Sequence, residues 1–131
     1  MDTRHALAGM FTCCGTLESV PQQHMVDTTV LVHRRDSNGR PFSLRLWHEL
    51  DARCAALCGG ATRDSQVDGF WTDHTGRVYR DKSIRYSLTL QSARDLPGWI
   101  ALMEWILVAF SQEAIYITIN GRSEIIPKRE G

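Results

Sequence analysis

Apolar and polar residues alternate without a break from Ile84 to Leu90. Ile84, Tyr86, Leu88 and Leu90 point one way, and Arg85, Ser87 and Thr89 point the other. A period of two marks a strand with one buried face. This strand is predicted over residues 77–90, preceded by a turn at Asp73-His74-Thr75-Gly76 and a partner strand over 69–73. Asp at the first turn position and Gly at the fourth suit a type I turn closed by a left-handed Gly. The turn sets the register. It places Asp73 opposite Arg77 as an ion pair and Trp71 opposite Tyr79 as an aromatic pair, each worth about 0.2–1 kcal/mol. Trp71 and Tyr79 share the parity of the Arg85 row, unless a bulge within Asp81-Lys82-Ser83 switches it.

The period changes after Leu90. From Asp95 to Gln112 the chain is apolar at helical spacing, with Leu96, Trp99, Ile100, Met103, Ile106, Leu107 and Phe110 on the buried face. Asp95 is the expected N-cap, and Pro97 suits the first turn. Leu102, Trp105 and Val108 lie off the main face. A helix apolar nearly all round calls for a second cover, which is expected to be the N-terminal arm or another subunit. Trp105, Leu102 and Val108 are therefore the expected interface residues. Residues 114–120 alternate again, and Asn120-Gly121 predicts a tight turn into a short returning strand, RSEII.

Upstream, residues 25–35 read as a β-branched strand, followed by turn chemistry at Asp36–Gly39. Ser43 caps a predicted helix with apolar Trp47, Leu50, Cys54, Leu57 and Cys58, and Gly59-Gly60 stops it. Residues 61–67 are polar and read as a loop or irregular strand. The order β-α-β-β-α-β predicts an α+β, ferredoxin-like domain: an antiparallel sheet with two helices on one face and the other face open. Its expected span is 25–127, after an arm or tail at 1–24 and before a charged tail at 128–131.

Composition narrows the function classes. The chain has 131 residues, 43% hydrophobic and 23% charged, with fifteen basic and fifteen acidic side chains. A nonspecific nucleic-acid binder draws its affinity from a basic excess, which this neutral total lacks. Trp99–Phe110 is too short to span a membrane. Asp2 stands where a signal peptide needs positive charge, and Gly9 breaks the apolar stretch, so a cytoplasmic protein is expected. Cys13, Cys14, Cys54 and Cys58 lack the spacing of a disulfide framework or a four-ligand zinc site, and Cys54 and Cys58 read as small core hydrophobes. No metal and no cofactor is expected.

The remaining chemistry is sparse. Asp68, Asp73 and Asp81 cluster around the hairpin, with Asp36 at the end of the first strand. Paired carboxylates hold Mg²⁺ in phosphodiester chemistry, but turn caps and ion pairs are the commoner use. Arg77, Arg80, Lys82 and Arg85 interleave with Trp71 and Tyr79. That mixture suits single-stranded nucleic acid, although the aromatic signature of RNA-recognition motifs is missing.

Several short elements carry a resemblance: Asn38-Gly39-Arg40-Pro41-Phe42, Gly59-Gly60-Ala61-Thr62, then Gly69, Trp71, Gly76, Val78, Tyr79 and Asp81, and finally Phe110–Tyr116. Together the pattern resembles small bacterial ferredoxin-like proteins with a G-x-W-x4-G-x-V-Y-x-D hairpin. The resemblance covers most of the chain after residue 24 and implies the fold without an activity. The leading reading is a non-enzymatic binding or regulatory module that self-associates and binds a protein or small ligand through Trp71, Tyr79, Arg77, Arg80 and Asp81. One alternative is a small enzyme acting on a small molecule or phosphodiester, with Asp81, His74 or Glu113 near Trp71 and Tyr79. The other is single-stranded nucleic-acid binding on the open sheet face.

Overall fold

The computed structural model describes residues 24–58 and 60–128. Five strands, β1 (Val26–His33), β2 (Gly60–Thr72), β3 (Val78–Leu90), β4 (Ala114–Ile119) and β5 (Arg122–Pro127), form one antiparallel sheet in the order β2-β3-β1-β4-β5. Helices α1 (Leu44–Leu57) and α2 (Leu96–Ala109) cover one face. The α+β, ferredoxin-like plan read from the sequence is the observed one, with β5 added at the edge of β4. The proposed arm lies outside the described residues up to position 23.

Parity divides the sheet. Val26, Thr28, Val30 and Val32 of β1 are buried under the helices with Tyr86, Leu88 and Leu90 of β3 and Ile115, Ile117 and Ile119 of β4. Leu31, His33, Ser83, Tyr116 and Ile125 belong to the opposite, open face. No bulge interrupts Asp81–Ser83: β3 pairs residue by residue with β2 from Val78 to Ile84, and its Ser83 and Ile84 pair with His33 and Val32. The irregularity lies on β2, between Arg63 and Gln66, where two residues face one. That extra residue breaks the alternation of 61–67, so the sequence reads there as loop where β2 is continuous.

The helix N-caps follow the sequence with one change. Ser43 Oγ accepts the Leu46 N–H at 3.2 Å, as expected. Asp95 makes no side-chain cap. Ser92 takes the role instead, capping a 3-10 turn over Ala93–Asp95 that leads directly into α2. At the other end of α2, Gln112 N–H reaches the Leu107 carbonyl and Ser111 N–H reaches that of Val108. This is a Schellman ending, which favours Gly in the left-handed position. Here Ser111 holds that position at φ 49°. Ser111→Gly is expected to stabilise the protein by about 0.5–1 kcal/mol, raising Tm by roughly 2–4 °C in calorimetry.

The core joins both helices to the sheet. The two helices approach closely at Gly98: a Cβ there would stand 2.8 Å from Leu57 Cδ1, so the Leu57 side chain would have to shift. Trp99, Ile100, Leu102, Met103, Ile106 and Leu107 of α2 are buried. Of the expected interface residues, Leu102 is thus inside the core. Trp105 is partly buried against Phe110 with the Arg53 guanidinium 4.3 Å above its ring. Val108 is exposed. Cys54 and Cys58 sit in the core as free thiols. Burial pushes the Cys54 thiol up to about 12, with Cys58 and Asp51 adding to the effect. Burial raises Cys58 too. Both therefore act as small hydrophobes at neutral pH. The Tyr86 hydroxyl donates to Asp51 at 2.7 Å, and Asp51 pairs with Arg63 at 3.1 Å, tying α1 to β2 and β3. No described helix is long and apolar enough to cross a membrane.

Candidate functional site

The ends of β2 and β3 run past the rest of the sheet. β1 pairs with β3 only from Ser83 onward, so residues 68–72 and 78–82 form a two-stranded ribbon. Its tip is the predicted turn, with Gly76 at φ 87° and the Asp73 carbonyl accepting the Gly76 N–H. The Trp71–Tyr79 pairing expected from the turn is present, and the two rings stack 4.3 Å apart at 12°. The expected Asp73–Arg77 ion pair is replaced by other contacts. Asp73 Oδ1 accepts backbone N–H groups of Thr75 and Arg77, and Oδ2 accepts the Tyr79 hydroxyl at 3.1 Å. The Arg77 guanidinium lies 5.0 Å from the centre of the Tyr79 ring.

Hydrogen bonds to the ionised form, from the Thr75 hydroxyl foremost, hold the Asp73 carboxyl below its ordinary 3.8. A lowered value stabilises the turn above that pH, and the contribution fades as pH falls through it. The Tm difference between wild type and Asp73→Asn is therefore expected to be full near neutral pH. Thermal melts in increasingly acid buffer should show it closing below pH 3.8.

Where the ribbon leaves the sheet, the open face forms a cleft of about 790 Å³. Its floor and walls include Leu31, His33, Trp71, Asp81, Glu113 and Tyr116. That volume suits a small molecule and is concave, with apolar walls and few polar groups. Asp81 Oδ2 accepts the Trp71 indole N–H at 2.8 Å, fixing the ring that forms one wall. Behind the floor, Gln112 is buried. Its Oε1 accepts the His33 N–H at 3.4 Å, and its Nε2 donates to the Phe110 carbonyl at 2.8 Å. This amide locks the end of α2 to the end of β1.

Of the residues singled out from the sequence, Trp71, Tyr79, Arg77 and Asp81 come together on the open face. Arg80 does not join them: it faces the other way, 5.3 Å over the exposed Phe70 ring. Strand parity likewise separates Lys82 from Arg77 and Arg85, so the basic set is divided between two faces. Glu113 lines the cleft, whereas His74 is exposed at the ribbon tip. Asp36 is used in its own turn, accepting the N–H groups of Asn38 and Arg40 at 2.9 Å each. Among the described residues, no group of three or more His, Cys, Asp or Glu converges as metal ligands would. Gln112, Ser83 and the facing of His33 escaped sequence reasoning, because only strand pairing brings them to the cleft.

No protein-family model and no curated protein matches the sequence. Two solved structures do share the fold. One is a phage SAM lyase in complex with S-methyl-5'-thioadenosine, at 14% identity and TM-score 0.60, covering 86% of this chain and 96% of that one. The other is a phage SAM lyase in its apo state, at 14% identity and TM-score 0.59, covering 89% and 99%. This finding overturns the expectation of a non-enzymatic binding or regulatory module. The proteins sharing the architecture over nearly their full length are enzymes that act on a small molecule, in line with the alternative reading.

Proposed function

We propose that this protein is a small-molecule enzyme that cleaves S-adenosylmethionine or a closely related nucleoside sulfonium. The observation that carries the reading is the cleft on the open face, in a fold matched almost end to end by an S-adenosylmethionine lyase. S-methyl-5'-thioadenosine is the thioether left when S-adenosylmethionine loses its four-carbon amino-acid arm. The bond broken is then the one between sulfur and Cγ of that arm. The electron pair goes to sulfur as a carboxylate oxygen of the same arm bonds to Cγ, closing a lactone with no water consumed and no proton transferred.

The cleft's chemistry matches such a step. Positive charge on sulfur disappears as the bond breaks, so leaving water for an apolar site costs the reactant more than the transition state. Leu31, Val67 and Ile125 supply apolar surface there. Arg35 and Glu113, of opposite sign, both line the cleft and suit the carboxylate and the cationic groups of the substrate. No step calls for a nucleophile from the protein. The expected result is conversion of S-adenosylmethionine to S-methyl-5'-thioadenosine by the purified full chain, followed by liquid chromatography. Formation no faster than in a heat-inactivated control sinks the proposal.

A further inference from the structure

We propose that Trp71 is the platform on which the substrate's purine ring stacks, and that Asp81 is the positioning residue that sets its plane. The inference rests on the nucleoside-sulfonium reading and adds a subsite to it. Trp71 and Tyr79 already form a parallel stack 4.3 Å apart. Trp71 covers one face of Tyr79, so the Arg77 guanidinium, 5.0 Å from that ring, occupies the other. The stack is thus closed at the Tyr79 end and open at the Trp71 end. Trp71 lines the cleft and Tyr79 does not. With 49% of Trp71 exposed, the free indole face is the natural seat for a third flat ring.

The rings are also held in place. The Trp71 N–H donates to Asp81, and the Tyr79 hydroxyl donates to Asp73. Each aromatic is tethered at its polar edge by a carboxylate on the same ribbon, so little ring motion is left to be frozen on binding. An N–H bonded to a carboxylate also enriches the indole π-system, which favours stacking with an electron-poor purine. Base–aromatic stacking tolerates changes in the base but needs a π-face, and losing it weakens binding severalfold to a hundredfold.

The test is direct binding of S-methyl-5'-thioadenosine by calorimetry, beside turnover of S-adenosylmethionine. Trp71→Phe keeps a ring and is expected to hold affinity within about threefold, whereas Trp71→Ala should lose about tenfold or more. Wild type should bind 5-methylthioribose, which lacks the base, at least tenfold more weakly; this arm needs no variant to fold. Asp81→Asn keeps an acceptor for the indole N–H and should rescue what Asp81→Ala loses in affinity. Equal affinity of Trp71→Ala and wild type overturns the platform. So does equal affinity of wild type for the thioadenosine and the thioribose, or no binding of the thioadenosine at all. Base-dependent binding lost in Trp71→Ala, in a protein that turns over no S-adenosylmethionine, upholds the platform and removes the lyase reading alone.

Discussion

Phe110→Ala is expected to cost about 3–5 kcal/mol of stability. The side chain is fully buried at the last turn of α2. Three rings surround it: Trp47 at 4.9 Å, Phe42 at 5.0 Å and Trp105 at 6.0 Å, the last two edge to face. Such pairs add about 0.5–1.5 kcal/mol each beyond area burial. Phe42 precedes α1 and Trp47 lies within it, so truncation opens a cavity at the junction of both helices. Neighbouring rings are too rigid to fill it. Against a typical total of 5–15 kcal/mol, the variant would stand close to unfolding. Urea denaturation should show a large fall in midpoint with the slope retained. A loss under about 2 kcal/mol would mean that the aromatic cluster collapses onto the vacancy, contrary to the packing argument. The damage should also reach the cleft, because the Phe110 carbonyl accepts from Gln112, and Gln112 holds the His33 backbone.

Much of this architecture was legible in the residues, and the reason is locality. Ile84–Leu90 repeats with a period that only a half-buried strand uses. Asn120-Gly121 supplies two consecutive positive φ values, 47° and 80°, which a two-residue hairpin turn demands. Asp73 and Gly76 fixed a register that put Trp71 opposite Tyr79. Each of these signals is complete within a few residues. The failures came where the determinant was elsewhere. The bulge at residues 64–65 hid the first half of β2. Asp95 looked like a cap, yet the preceding 3-10 turn left Ser92 in that place.

The cleft was the least legible part, for the same physical reason. Leu31, Trp71, Asp81, Glu113 and Tyr116 come from all parts of the domain and meet only through strand pairing. An apolar floor with an aromatic wall needs no fixed spacing, unlike a metal site or a phosphate loop. A reaction driven by the loss of charge from its own substrate demands little from the protein in recognisable motifs. Under the proposed lyase reading, the lack of a motif therefore does not argue against catalysis.

The same charge argument predicts how Glu113→Gln should behave. A carboxylate lining the cleft attracts a sulfonium, and the attraction is strongest before the bond breaks, when sulfur carries its full charge. Removing it should weaken substrate binding more than it slows the chemical step. The expected result is a rise in KM of about tenfold with kcat held within about threefold, and little change in affinity for the neutral thioether product. Glu113 is exposed, so salt should screen the attraction. The wild-type KM should climb with ionic strength, while that of Glu113→Gln should respond much less. A carboxylate acting instead as a general base would be worth about 10²–10⁴ in kcat, and its removal would also erase an acidic limb from the pH–rate profile. A fall in kcat of that size with KM unchanged would place Glu113 in the proton chemistry and refute the charge-loss argument.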